Sequence, residues 1–133
     1  MSKVYKMPVL MAFYNHGNVR MEVSEAELLA SWKEFFSTGT NWKDLEKEIT
    51  YEEYRKISDK NHIQKIMKMP VHFLLKSGEE FFVKKDGAAL ALRDEMEEIV
   101  KEPVLAEQMK DVIEYRAMDY YRRRYKEKIK ALL

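Results

Sequence analysis

Cysteine is absent from this 133-residue chain. That removes disulfide frameworks, thiolate nucleophiles, iron–sulfur clusters and nearly every structural zinc site. Glycine and proline are scarce, at four and three, which excludes collagen-like repeats and linker-rich architecture. The four glycines, Gly17, Gly39, Gly78 and Gly87, are isolated from one another. They build neither the G-x-x-x-x-G-K-[ST] phosphate loop nor the G-x-G-x-x-G dinucleotide turn. No apolar run approaches the roughly 18 residues of a membrane span, and the N-terminus lacks the basic, apolar and small-residue order of a secretory signal. A cytoplasmic protein without a membrane partner is the expectation.

What is present is a composition of 46% hydrophobic, 12% aromatic and 35% charged residues, which excludes disorder. The length matches one domain, large enough to bury a core without covalent staples. The net charge of +1 is unevenly spread. Residues 116 to 133 hold seven Lys/Arg against two acids, leaving 17 basic and 21 acidic side chains, a balance of −4, on residues 1 to 115.

Patterning predicts an α+β fold of two short β-hairpins packed with several helices and a long C-terminal helix. The apolar run Met7–Tyr14 and the alternating Val19–Val23 flank Asn15-His16-Gly17-Asn18, whose residues tolerate positive φ, so a first hairpin is expected there. Ser24 with Glu27 forms a capping box ahead of Leu28, Leu29, Trp32, Phe35 and Phe36 at helical spacing, ending at Ser37-Thr38-Gly39. Asn41 before Trp42, and Thr50 before Tyr51 with Glu53, announce two short helices, and a third is expected from Lys60 to Lys68, stopping before Pro70. Val71-His72-Phe73-Leu74-Leu75 reads as a helical turn started by Pro70. Phe81–Val83 and Ala88–Leu92 flank Lys85-Asp86-Gly87 as a second hairpin. Asp94 is placed as the cap of a helix through Val100, and Pro103 opens a final helix of about 25 residues.

Residue patterns that carry chemistry are few. His16, His62 and His72 have no short-spaced metal-ligand partner, so no metal or cofactor is expected; His16 reads as a turn residue and His72 as a packing or hydrogen-bonding one. Ser24, Ser31, Ser37, Ser58 and Ser77 sit in no G-x-S-x-G elbow. Glu46, Glu48, Glu52 and Glu53, and Asp94, Glu95, Glu97 and Glu98, lie among lysines on predicted helices, the pattern of a solvated face. Trp32, Phe35, Phe36 and Trp42 offer a base-stacking platform on one reading and a core on the more frequent one. A small hydrolase, with His and carboxylates converging from distant positions, is a remote alternative.

The segment from Glu114 to Lys128 differs from the rest. It interleaves tyrosines with Lys and Arg, and a helix would display these as basic arms between flat rings. Arg116, Arg122, Arg123, Arg124, Lys126 and Lys128 are candidate phosphate contacts, with Tyr121 and Tyr125 as stacking surfaces. The bland account is that cations favour the end of a helix and keep it soluble.

Met7-Pro8-Val9-Leu10-Met11-Ala12-Phe13, Ser31–Phe36, Asn41–Leu45, Lys68–Leu74 and Tyr115-Arg116 with Tyr120–Arg123 occur in an order that resembles the extreme C-terminal module of large bacterial DEAD/DEAH-type helicases, restriction-associated relatives included. The resemblance spans nearly the whole chain but rests on apolar and aromatic blocks, so it speaks to fold more than to chemistry. It implies that residues 1–133 form a single accessory domain, the C-terminal part of a longer helicase polypeptide. Its partners would be the motor domains in cis and DNA; the net charge of only +1 and the acidic remainder of the chain make weak binding without sequence preference the expectation. The ATPase motifs would lie upstream, so no catalytic residue transfers to this chain. The alternative is a protein-interaction module that buries the Tyr/Arg helix against another domain or a second copy.

Overall fold

The computed structural model describes residues 3–15, 18–104, 107–108 and 111. The architecture is α+β, as the patterning predicts. A 3₁₀ turn, Lys3–Tyr5, leads into α1 (Lys6–Phe13). A two-stranded ribbon of β1 (Tyr14–Asn15) and β2 (Asn18–Val19) follows, then β3 (Glu22–Val23) and α2 (Glu25–Ser37). A 3₁₀ turn, Asn41–Asp44, precedes α3 (Tyr51–Arg55) and α4 (Asp59–Ile66), which runs through a π-helical turn (Met67–Val71) into α5 (His72–Ser77). Strands β4 (Phe82–Val83) and β5 (Leu90–Leu92), a 3₁₀ turn Asp94–Met96 and α6 (Glu97–Val100) complete the sequence of elements. No helix of the described residues is long and apolar enough to cross a membrane.

The first expected hairpin is corrected in its outer part. Tyr14 pairs with Val19 and Asn15 with Asn18, so the turn is where the sequence puts it, but Met7–Phe13 is helical rather than extended. Met7, Pro8, Val9 and Phe13 are all buried, and a helix enclosed on several sides shows a continuous apolar run with no visible period. Pro8 lies in the first turn, where its missing N–H removes no ladder bond. Nor is Val19–Val23 one strand. Its second half leaves the ribbon and pairs antiparallel with β5, Glu22 opposite Ala91 and Val23 opposite Leu90. With β4 on the other side of β5, Phe82 opposite Leu92, the sheet order is β3-β5-β4.

Helix α2 starts and stops as its sequence dictates. The Ser24 hydroxyl accepts from Glu27 N–H at 3.1 Å, and the Glu27 carboxylate accepts from Ser24 N–H at 3.0 Å. Past the C-terminus, Gly39 takes a φ of +55°, the left-handed cap that glycine adopts without strain. Asn41 opens the next turn not as a cap but through its buried amide, which donates to the Phe35 carbonyl at 2.9 Å, in the last turn of α2, where Thr38 N–H also bonds at 3.3 Å. The Thr50–Glu53 box is formed as expected.

Two further boundaries depart from expectation. The helix beginning at Asp59 does not stop before Pro70, because the wider π turn gives room where a proline ring would meet the carbonyl four residues back. Asp94 does not cap; Arg93 holds that position and no side chain bonds there. Of the expected final helix, Pro103, Val104, Glu107, Gln108 and Asp111 are helical, and the remainder lies outside the described residues.

The core lies between α1, α2, the α4–α5 rod and the inner face of the sheet. Trp32, Phe36 and Phe13 are its largest fully buried side chains. The Ser31 hydroxyl donates to the Pro8 carbonyl at 2.6 Å, fastening α2 to α1. Trp32, Phe35 and Phe36 are therefore core, while Trp42 is half-buried, edge-on to Tyr51 at 5.5 Å. At the end of α5 the chain passes so close to itself that a Cβ on Gly78 would lie 2.8 Å from the Leu74 carbonyl oxygen and 3.2 Å from the Phe82 ring. Gly78→Ala is accordingly expected to destabilise by about 1–3 kcal/mol in urea denaturation; an unchanged midpoint would mean that the α5–β4 junction relaxes freely.

Candidate functional site

The residues proposed from sequence as nucleic-acid contacts, Arg116, Tyr121, Arg122, Arg123, Arg124, Tyr125, Lys126 and Lys128, lie outside the described residues, as does His16. His72, expected to pack or hydrogen-bond, is exposed and touches the Phe73 ring edge-on at 5.9 Å. Both acidic groups stand on the surface, as a solvated face should. Among the described residues no group of three or more His, Asp or Glu is placed to hold a metal ion.

A cleft of about 510 Å³ lies between α4 and the segment from Leu45 to Ile57. Helix α4 is set by Ser58, whose hydroxyl accepts from Asn61 N–H at 3.2 Å. From that start the helical period puts His62, Lys65 and Met69 on an inner stripe and Asn61, Gln64 and Lys68 along the rim. The opposite wall brings Ile49 and Ile57 to the cleft, after a bend at Glu48, which takes a left-handed φ of 61°.

His62 is the unexpected member. It is only 3% exposed, and its Nδ1 accepts a hydrogen bond from Trp32 Nε1 at 3.1 Å. An indole nitrogen only donates, so Nδ1 carries no proton and the neutral ring bears its hydrogen on Nε2. Burial lowers the His62 pKa from its ordinary value; Lys33 and Lys65 push the same way and Asp59 opposes them. The Tyr54 ring stands edge-on to His62 at 6.0 Å, and burial raises the pKa of its phenol.

Lys65 reaches the Leu45 carbonyl at 2.9 Å and Glu46 at 3.4 Å, with its ammonium 5.4 Å from the Tyr5 ring centroid. The Tyr5 hydroxyl donates to the same Leu45 carbonyl. Two acceptors of the cleft are thus engaged, since Glu53 also accepts from Thr50 N–H at 3.1 Å. The side chains with bonding capacity left at the inner stripe are donors, His62 Nε2–H and the one remaining N–H of Lys65. The sequence carries no local sign of this arrangement, because Trp32 and His62 are 30 residues apart and each has an ordinary helical context. No protein-family model, curated protein or solved structure matches the chain.

Proposed function

We infer that the chain is a non-catalytic, nucleic-acid-associated accessory domain that works beside the motor domains of a helicase, helping them hold DNA. The observation that carries this reading is charge segregation. Seven Lys/Arg against two acids on residues 116 to 133 oppose a balance of −4 on residues 1 to 115. The acidic side chains from Glu46 to Glu53 and from Asp94 to Glu98 that the sequence groups together stand exposed, so the body repels a phosphate backbone and leaves the basic segment as the favourable approach. The motif content fits a role without turnover of its own, since the sequence holds neither glycine-rich phosphate signature.

Titration of labelled single-stranded and duplex oligonucleotides at two salt concentrations tests the reading. Weak affinity, of order 10⁻⁴ to 10⁻⁶ M, is expected, with a log–log salt slope of about −0.7 per phosphate on single strands and about −0.9 on duplex. Converting Arg122, Arg123 and Arg124 together to Ala should weaken binding and flatten that slope. Binding that ignores salt, or is untouched by the triple substitution, would remove the basic segment as the nucleic-acid surface and leave the protein-interaction reading standing.

A further inference from the structure

We propose that the α4 cleft is a binding site for a small amphipathic carboxylate, whose charged end meets His62 Nε2–H and the Lys65 ammonium while its apolar part lies on Leu45, Ile49, Ile57 and Met69.

Size is the first reason: about 510 Å³ falls within the roughly 300–1,000 Å³ of small-molecule sites. The second is His62. Its ring is 97% removed from solvent, lines the cleft and makes one hydrogen bond, through Nδ1 to Trp32. Among the described residues no acceptor meets its Nε2–H, a group that proteins rarely bury without one. An occupant with an acceptor completes that bond, and Trp32 has already fixed the tautomer that offers it.

The third reason is the sign of the polar groups. Glu46 and Glu53 each give one carboxylate oxygen to a partner already in place, Lys65 and the Thr50 N–H respectively. Lys65 donates to the Leu45 carbonyl and to Glu46, its side chain is only 21% exposed, and it retains one N–H to give. Lys68 adds a second cation at the rim. An ammonium-bearing ligand would have to turn to the oxygens that Glu46 and Glu53 have left, away from the inner stripe of His62, Lys65 and Met69, whereas a carboxylate accepts from both inner donors. The apolar wall opposite accounts for the ligand's other half.

Octanoate is a suitable probe, with octylamine as the control of equal length and opposite charge, followed in proton–nitrogen correlation spectra of the full chain. Octanoate should produce saturable shifts at the Trp32 indole N–H, which senses His62 from the far side of the ring, and at the amides of Ile49 and Lys65. It should bind at least about tenfold more tightly than octylamine. Lys65→Met should weaken it about tenfold, the loss of one charge-assisted hydrogen bond. His62→Asn removes the Nε2–H donor while its Oδ1 can still accept from Trp32, so a comparable loss is expected there with the Trp32 signal retained. If that variant does not fold, the Lys65→Met and octylamine comparisons decide. Absence of saturable shifts up to about 10 mM octanoate, equal binding of octylamine, or unaltered affinity in folded Lys65→Met would overturn the proposal. None of these results depends on whether the chain binds nucleic acid.

Discussion

Truncating Phe36 to alanine is expected to remove about 3–5 kcal/mol of stability, the range for deleting a fully enclosed aromatic ring. Phe36 is wholly buried, and among the described residues three rings pack against it: Trp32 at 4.7 Å, Phe35 at 5.0 Å and Tyr5 at 6.2 Å between centroids. The upper part of the range applies when neighbours cannot close over the space left behind. That is the case here, because Trp32 is tethered to His62 and Tyr5 to the Leu45 carbonyl. Each would have to break a buried hydrogen bond to move inward. Urea denaturation of the two proteins checks this directly. A change below about 1 kcal/mol would show that the α1–α2 interface repacks and that the tethers do not hold the rings in place.

The same contacts show which parts of the structure were legible in advance. The capping boxes at Ser24 and Thr50 read correctly because all their determinants lie within four residues. The Lys85-Asp86-Gly87 turn read correctly for the same reason, and β4 and β5 do pair across it. Met7–Phe13 misled because burial on several sides erases helical periodicity, and its apolar residues suit a strand as well. Pro70 misled because a proline ends a helix only when the turn keeps its normal width; the π turn does not. The pairing of Val23 with Leu90 joins residues far apart in the sequence, and no local pattern announces which edge a two-residue strand will choose. The cleft was illegible on the same grounds. His62 has no short-spaced partner in the sequence, and only the fold places Trp32 beside it.

Acidification below about pH 6.5 is expected to weaken the fold through His62. Protonating Nδ1 would set an N–H against the Trp32 indole N–H at a distance of 3.1 Å in a buried site, exchanging a hydrogen bond for two opposed donors. Burial is the main reason the folded-state pKa lies below the unfolded one, with Lys33 and Lys65 adding to it. Asp59 acts in the opposite sense but is paired with Lys33 at 2.9 Å on the surface, so much of its field is cancelled. A depressed histidine pKa means that the unfolded chain binds the proton more readily. The stability His62 contributes is therefore complete above its unfolded pKa and declines as pH falls from there through the folded value. With one proton involved, the slope is at most about 1.4 kcal/mol per pH unit, and it vanishes once both states are protonated. Carboxylates titrate at lower pH and would obscure a single curve, so the measurement is a difference: urea denaturation of wild type and His62→Asn at pH 7.5, 6.5 and 5.5. Asparagine can accept from Trp32 but does not titrate, so it should start less stable at pH 7.5 and lose less on acidification, narrowing the gap. Parallel losses in the two proteins would show that the Trp32–His62 bond does not govern the acid limb, and that the histidine ring finds another way to take up its proton inside the core.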